Sequence, residues 1–260
     1  MSEKNLPVGF FDSGLGGVSV LAEAAFLLPN ESFIYLGDSA HNPYGTKDVA
    51  DVKRLSLQAA DFLIEKGIKA LVVACNTATS VAINDLRQAQ EIPVIGMEPA
   101  LKPAVEKSEP GDIIVMATPI TLREKKFQCL LSQYRLKRNI VLLPCPGLAE
   151  LIEKGTYTGP PIQEYLINIF DQIKTENIST VVLGCTHYIF IKRELEKFMP
   201  HVRLIDGNRG TVVNLRRILD QQGLLADQSR KDRNIEFFSS ADPDRFLPLY
   251  RQLFNYYFGK

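Results

Sequence analysis

Nine short apolar runs punctuate the chain: VGFF (8–11), SFIYLG (32–37), ALVVA (70–74), PVIGM (93–97), DIIVMA (112–117), IVLLP (140–144), TVVLG (180–184), VRLID (202–206) and IEFFS (235–239). They are short, rich in β-branched and aromatic residues, and bounded by Gly, Pro or Asp, which is the pattern of buried strands. Between most of them lie longer segments with apolar residues at helical spacing, such as DVADVKRLSLQAADFLIEKG (48–67) and VSVLAEAAFLL (18–28). Strands alternating with crossover helices predict an α/β fold built on parallel sheets. The stretches 107–112, 154–161 and 221–234 read as polar loops.

One run echoes another. IKALVVACNT (68–77) and ISTVVLGCTH (178–187) align without gaps, and each ends in a cysteine after a small residue. A separation this long exceeds solenoid repeats, which span roughly 20–50 residues. It suits two related α/β halves facing each other, although convergent strand-to-loop patterning gives the same echo. In open α/β sheets, ligands bind beyond the carboxyl ends of the strands. The residues there are Asp12-Ser13-Gly14, Asp38-Ser39, Cys75-Asn76-Thr77, Glu98, Thr118, Cys145, Cys185-Thr186-His187 and Asp206.

Composition narrows the class. Lys+Arg and Asp+Glu are both 30, so the 260-residue chain lacks the basic footprint of a dedicated nucleic-acid binder. No apolar segment follows a basic start, and no stretch of about 18 apolar residues exists. The expectation is a cytoplasmic protein whose four cysteines are reduced thiols.

Cys75, in ACNTAT (74–79), falls at a helix start, a setting that lowers a thiol pKa. Asn76 and Thr77 add neutral donors and acceptors. Taken singly, Cys75 reads more readily as a small buried residue beside a cap. Two such sites in register are harder to explain that way. GCTHY (184–188) adds His187, a side chain that titrates near neutrality. FFDSGLGG (10–17) is a glycine-rich turn into a helix. Since G-x-G-G is neither the dinucleotide fingerprint nor a Walker loop, a phosphate or dinucleotide site is weakly supported, and an amino-acid carboxylate would use the same donors. In the plainer reading, Asp12 or Ser13 merely caps that helix. Cys129 reads as core and Cys145 as structural, while His41 and His201 read as surface or loop residues. A metal bound by Cys75, Cys185 and His187 is disfavoured by the spacing.

FDSGLGG (11–17), GDSAHNPYGTK (37–47), ACNTAT (74–79) and GCTHY (184–188), in that order, resemble the glutamate racemases of the cofactor-independent aspartate/glutamate racemase superfamily. The match covers nearly the whole chain. The resemblance implies two pseudo-symmetric parallel-sheet α/β domains, 1–98 plus 208–260 and 99–207, with the active site at their interface. It implies interconversion of L- and D-glutamate for peptidoglycan synthesis, no cofactor, no metal, and a homodimer. It makes Cys75 and Cys185 the two acid/bases, with Asp12 and His187 beside them and Glu153, on a looser match, grouped with those two; Glu150 competes for that place. Substrate contacts fall on Asp12, Ser13, Tyr44, Gly45, Asn76, Thr77, Thr118, Thr121, Thr186 and His187. The chain departs from the family at Ile189-Phe190, where Pro-Leu is common, at Asp48 and after the strand at 117. It begins almost at its first strand, so activation by a peptidoglycan precursor is not expected. The competing readings are a racemase of another amino acid such as aspartate, a Cys–His thiol hydrolase, and a non-catalytic amino-acid-binding protein.

Overall fold

Each of the nine runs carries a strand in the computed structural model of the chain, which describes residues 3–107, 109–175, 177–227, 229 and 233–259. The strands are β1 (Val8–Asp12), β2 (Phe33–Gly37), β3 (Ala70–Val73), β4 (Val94–Gly96), β5 (Asp112–Ala117), β6 (Ile140–Pro144), β7 (Ile178–Leu183), β8 (Arg203–Asp206) and β9 (Ile235–Ser239). They form a five-stranded sheet in the order β4-β3-β1-β2-β9 and a four-stranded sheet in the order β6-β5-β7-β8. The pairings are parallel.

The echo seen in the sequence has a topological basis. Read from its other edge, the smaller sheet runs β8-β7-β5-β6, so β5, β6, β7 and β8 repeat the places of β1, β2, β3 and β4. The larger sheet adds only β9, beside β2. Cys75 after β3 and Cys185 after β7 therefore occupy corresponding positions, as do Ser13 after β1 and Thr118 after β5. The chain crosses between sheets after β4 and returns after β8. These crossovers touch: a Cβ on Gly207 would lie 2.8 Å from the Glu98 carbonyl oxygen, so only glycine fits without a shift.

Helices cover the sheets. The segment read as helical over 48–67 forms Val49–Glu65, which buries Val52, Leu55, Ala59 and Leu63 along one stripe. At the base of the larger sheet, Lys69 Nζ lies 2.5 Å from Glu31 Oε2, with both side chains buried. The loop expected over 107–112 includes residue 108, and the connection over 221–234 includes 228 and 230–232. These positions lie outside the described residues. The loop expected over 154–161 ends early, because Pro160 opens the helix Pro160–Phe170.

Cys129 corrects the sequence reading. In the helix Lys125–Ser132, Phe127 and Leu131 are buried one turn apart, which turns Cys129 outward to solvent.

Candidate active site

The carboxyl ends of β1, β3, β5 and β7 supply most of the polar residues singled out from the sequence. The turn after β1 is held from within. Asp12 Oδ1 accepts the Gly14 amide at 2.9 Å, and Tyr35 donates its hydroxyl to the Gly14 carbonyl at 2.6 Å. Asp12 does not cap the following helix Val18–Leu27; Gly17 occupies that position with no side-chain cap bond. The carboxylate is instead free to reach the opposite sheet's loop, where Thr186 Oγ1 donates to Asp12 Oδ2 at 3.0 Å.

Cys75 is the N-cap of the helix Asn76–Ala89, and its Sγ accepts the Ala78 amide at 3.4 Å. Ser13 Oγ lies 3.6 Å from the same sulfur. Helix position alone predicts a lowered pKa, yet the Cys75 thiol is pushed up to about 12. Burial is the main cause and the Asp12 carboxylate the next; together they outweigh the Ala78 and Ser13 bonds. Cys185 is near enough to add, last and in the same direction, to the shift of Cys75.

The second thiol sits in a different local frame. Cys185 precedes a 3-10 turn, Thr186–Ile191, rather than an α-helix, and it caps nothing. Its neighbour is His187, whose Nδ1 lies 3.8 Å from Sγ. The other ring nitrogen, Nε2, lies 2.6 Å from Glu153 Oε1. Burial works against the imidazolium, but the Cys185 sulfur and the Glu153 carboxylate hold His187 well above its ordinary pKa. Of the two candidate glutamates, Glu153 reaches this cluster, whereas Glu150 lines a small cleft with Pro43, Gly45, Thr118 and Cys145.

Three threonines knit the sheets together. Thr77 Oγ1 lies 2.9 Å from Thr118 Oγ1 and 3.2 Å from Thr121 Oγ1, and the latter two are 2.8 Å apart. Thr118 also caps its own short helix through the Thr121 amide. Gly45 packs against this cluster: a Cβ there would meet Thr118 Cγ2 at 2.7 Å. Tyr44 is buried and donates to Asp38 Oδ2 at 2.6 Å, while His41 and Ser240 bind Asp38 Oδ1. Asn76 stands apart. Both polar atoms of its carboxamide are buried and have no hydrogen-bond partner among the described residues. A paired arrangement is the rule for buried amides, so an unpaired one next to Cys75 in the chain marks a place for a ligand's polar groups.

Not every strand-end residue joins. Glu98 is half-exposed and pairs with Lys126, and Asp206 accepts the Asn208 amide. Cys145 is buried, bonded to the Leu143 carbonyl, and burial pushes its thiol up. A groove of about 860 Å³, lined among others by Ser19, Phe26, Tyr157, Phe190 and Tyr256, includes none of the cysteines. Asn42 was not singled out in the sequence. Its Nδ2 bridges the Ser13 carbonyl at 3.0 Å and Glu153 Oε1 at 3.1 Å. Its only signal was its place in the turn-rich HNPYGTK loop.

Chemically, the arrangement offers two thiols at corresponding strand ends, each beside an ionisable side chain, and neutral donors suited to a carboxylate. Among the described residues no cluster of His, Cys, Asp and Glu has the form of a metal site, and no helix is long and apolar enough to cross a membrane.

Known proteins share both fold and sequence. The model of the Asp/Glu/hydantoin racemase family matches residues 19–215. A glutamate racemase of Clostridium botulinum is 52% identical over 256 residues, covering 98% of this chain and 99% of its own. The crystal structure of glutamate racemase from Francisella tularensis subsp. tularensis in complex with D-glutamate is 30% identical and superposes with a TM-score of 0.83, covering 99% of this chain and 95% of its own. The Escherichia coli glutamate racemase, in complex with L-glutamate and the activator UDP-MurNAc-Ala, superposes with a TM-score of 0.83 at 29% identity, covering 95% of each chain. The chain belongs to the Asp/Glu/hydantoin racemase family.

Proposed function

We propose that this member of the family interconverts L- and D-glutamate by moving the α-proton between two thiols. The observation that carries the reading is the pair Cys75 and Cys185 at corresponding strand ends of two like-ordered sheets, within electrostatic reach of one another. Racemisation needs one base on each face of the α-carbon, and two halves facing each other supply that without rotating the substrate. Glutamate as substrate is supported by the C. botulinum relative and by the enantiomers bound in the F. tularensis and E. coli enzymes.

In one direction, the Cys75 thiolate takes the α-proton of D-glutamate and becomes a thiol. The carbanion then takes the proton of the Cys185 thiol on its other face, which yields L-glutamate and a Cys185 thiolate. The reverse sequence starts from Cys185. Asp12 beside Cys75 and the His187–Glu153 pair beside Cys185 reset the protons between turnovers. Asn76, Thr77, Thr118, Thr121 and Thr186 supply donors to the substrate carboxylates, with Ser13, Tyr44 and Gly45 closing the site. Donors fixed before the reaction favour the charge that develops as the proton leaves. The proton transfers as written draw on no cofactor.

The same reading makes the protein a cytoplasmic homodimer that supplies D-glutamate for peptidoglycan, with one domain at 1–98 and 208–260 and the other at 99–207. The test is incubation with L-glutamate in heavy water. Optical activity is followed by circular dichroism and the α-proton by NMR, with Cys75→Ala and Cys185→Ala in parallel. Loss of optical activity with α-deuteration, absent in both variants, supports the two-thiol racemase. Exchange without inversion means one working base. Absence of exchange with glutamate, followed by exchange with aspartate, reassigns the substrate.

A further inference from the structure

Each thiol's helper is held by the opposite half of the molecule. Asp12, beside Cys75, receives the hydroxyl of Thr186, which belongs to the loop carrying Cys185. Glu153, which holds His187 beside Cys185, receives the Leu15 amide at 2.9 Å and the Asn42 carboxamide at 3.1 Å, both from the half carrying Cys75. The bracing is reciprocal. Thr186 and Glu153 already fall within the catalytic and binding set, but Asn42 does not.

Its position is demanding. Glu153 Oε1 is the convergence point of Leu15 N, Asn42 Nδ2 and His187 Nε2. The floor of this junction is Gly14, where a Cβ would lie 2.0 Å from Glu153 Oε1 and 2.2 Å from Asn42 Nδ2. Asn42 is anchored on its own side by the Ser13 carbonyl, so its second N–H has a fixed direction. A neutral amide aimed this way holds the carboxylate in one rotamer. The groups acting on His187 are Cys185 from its own turn, Glu153 from the helix Leu148–Glu153, and Asp12 from β1. Of these, only Glu153 is aimed by Asn42.

We propose that Asn42 is a positioning residue that aims Glu153 at His187, so that the proton-handling pair beside Cys185 is complete only when the two halves are docked. This rests on the racemase reading above and deepens it. The expected signature separates it from a residue that merely shapes the neighbouring Tyr44–Gly45 loop. Replacing Asn42 by leucine, of similar shape but with no donor, loosens Glu153 and leaves the substrate donors in place.

The experiment compares wild type with Asn42→Leu and, as a smaller change that cannot span both acceptors, Asn42→Ser. The expected result for both is a kcat about tenfold lower with L- and with D-glutamate, the scale of one hydrogen bond to a charged group. KM should stay within about twofold. In the ligand-free protein, the His187 ring titration followed by nitrogen-15 NMR should shift to lower pH, because the carboxylate spends less time on Nε2. A raised KM with unchanged kcat, or an unmoved His187 titration in a folded variant, overturns the proposal. Should wild type fail to racemise glutamate, the functional reading falls, while the His187 titration still decides what Asn42 does.

Discussion

Asp12→Asn should make the protein more stable and less active at once. Asp12 is fully buried, and its pKa is raised by burial even after His187, the Gly14 amide and the Thr186 hydroxyl have acted to lower it. The site as a whole therefore disfavours the carboxylate. A group with a raised folded pKa contributes its stability fully below the unfolded value, about 3.9, and loses it as pH rises through the folded pKa. At neutral pH the ionised Asp12 is a cost. Asparagine has the same shape: its Oδ1 keeps the Gly14 amide, and its Nδ2 faces Thr186 Oγ1, which can turn to accept. Removing the charge while keeping both contacts should stabilise by on the order of 1–2 kcal/mol. For a chain of this size that is a rise in Tm of roughly 2–8 °C. Thermal melts at pH 7.5 and pH 4, followed by circular dichroism, test it: the gap should be present at the higher pH and shrink at the lower. Glutamate racemisation should fall by about a hundredfold or more, the usual scale for losing a positioned proton carrier. A variant that melts lower at pH 7.5, or whose advantage grows toward acid, would refute the burial argument. One that keeps a tenth of the activity would remove Asp12 from the proton path.

Three further outcomes follow from particular contacts. With Cys75 pushed up to about 12, alkylation in the ligand-free protein at pH 8 should label exposed Cys129 first and Cys75 at least about a hundredfold more slowly, with the Cys75 rate still climbing above pH 10; peptide mass spectrometry reads both. Gly14→Ala would push a Cβ to 2.0 Å from Glu153 Oε1, and since the displaced atoms end two flexible side chains, the fold should survive while kcat drops at least about tenfold. Lys69→Met leaves Glu31 buried without its cation, and urea unfolding should show a loss of about 3–5 kcal/mol with no change in KM.

The strands were legible because a parallel sheet buries both faces, so each strand announces itself as a continuous apolar run between turn residues. The strand-end rule alone then points to Asp12, Cys75, Thr118 and Cys185. What stayed hidden is what depends on distant partners. The Thr186–Asp12 and Leu15–Glu153 bonds join residues 174 and 138 positions apart, and no local pattern encodes them. Cys129 sits in an apolar-looking helix, but the side it faces is set by Phe127 and Leu131. The helix-start argument for Cys75 was locally sound, since the Ala78 amide does point at the sulfur; its sign was reversed by burial and by a carboxylate 63 positions earlier.

That reversal bears on how the site works. A base whose pKa lies near 12 is a poor base at neutral pH, which at first sight argues against Cys75 as a proton acceptor. The causes of the shift say otherwise. Burial and Asp12 both raise the pKa by penalising negative charge, so a positive charge delivered to the same cleft opposes both. The α-ammonium group of an amino acid is such a charge, bonded to the carbon that must lose its proton, and an opposite charge within about 4–6 Å favours the ionised form. On the proposed racemase reading, Cys75 on its own stays protonated and unreactive, and the substrate's ammonium supplies the field that makes the thiolate accessible. His187 fits the same logic from the other side: held protonated between Cys185 and Glu153, it offers the second sulfur a cation in place already. On this account the two thiols are not equivalent at rest. Cys75 waits for the substrate's charge and Cys185 has a resident one, so glutarate, which lacks the ammonium, should slow alkylation of Cys75 by covering it, whereas a bound amino acid should leave its thiolate fraction raised.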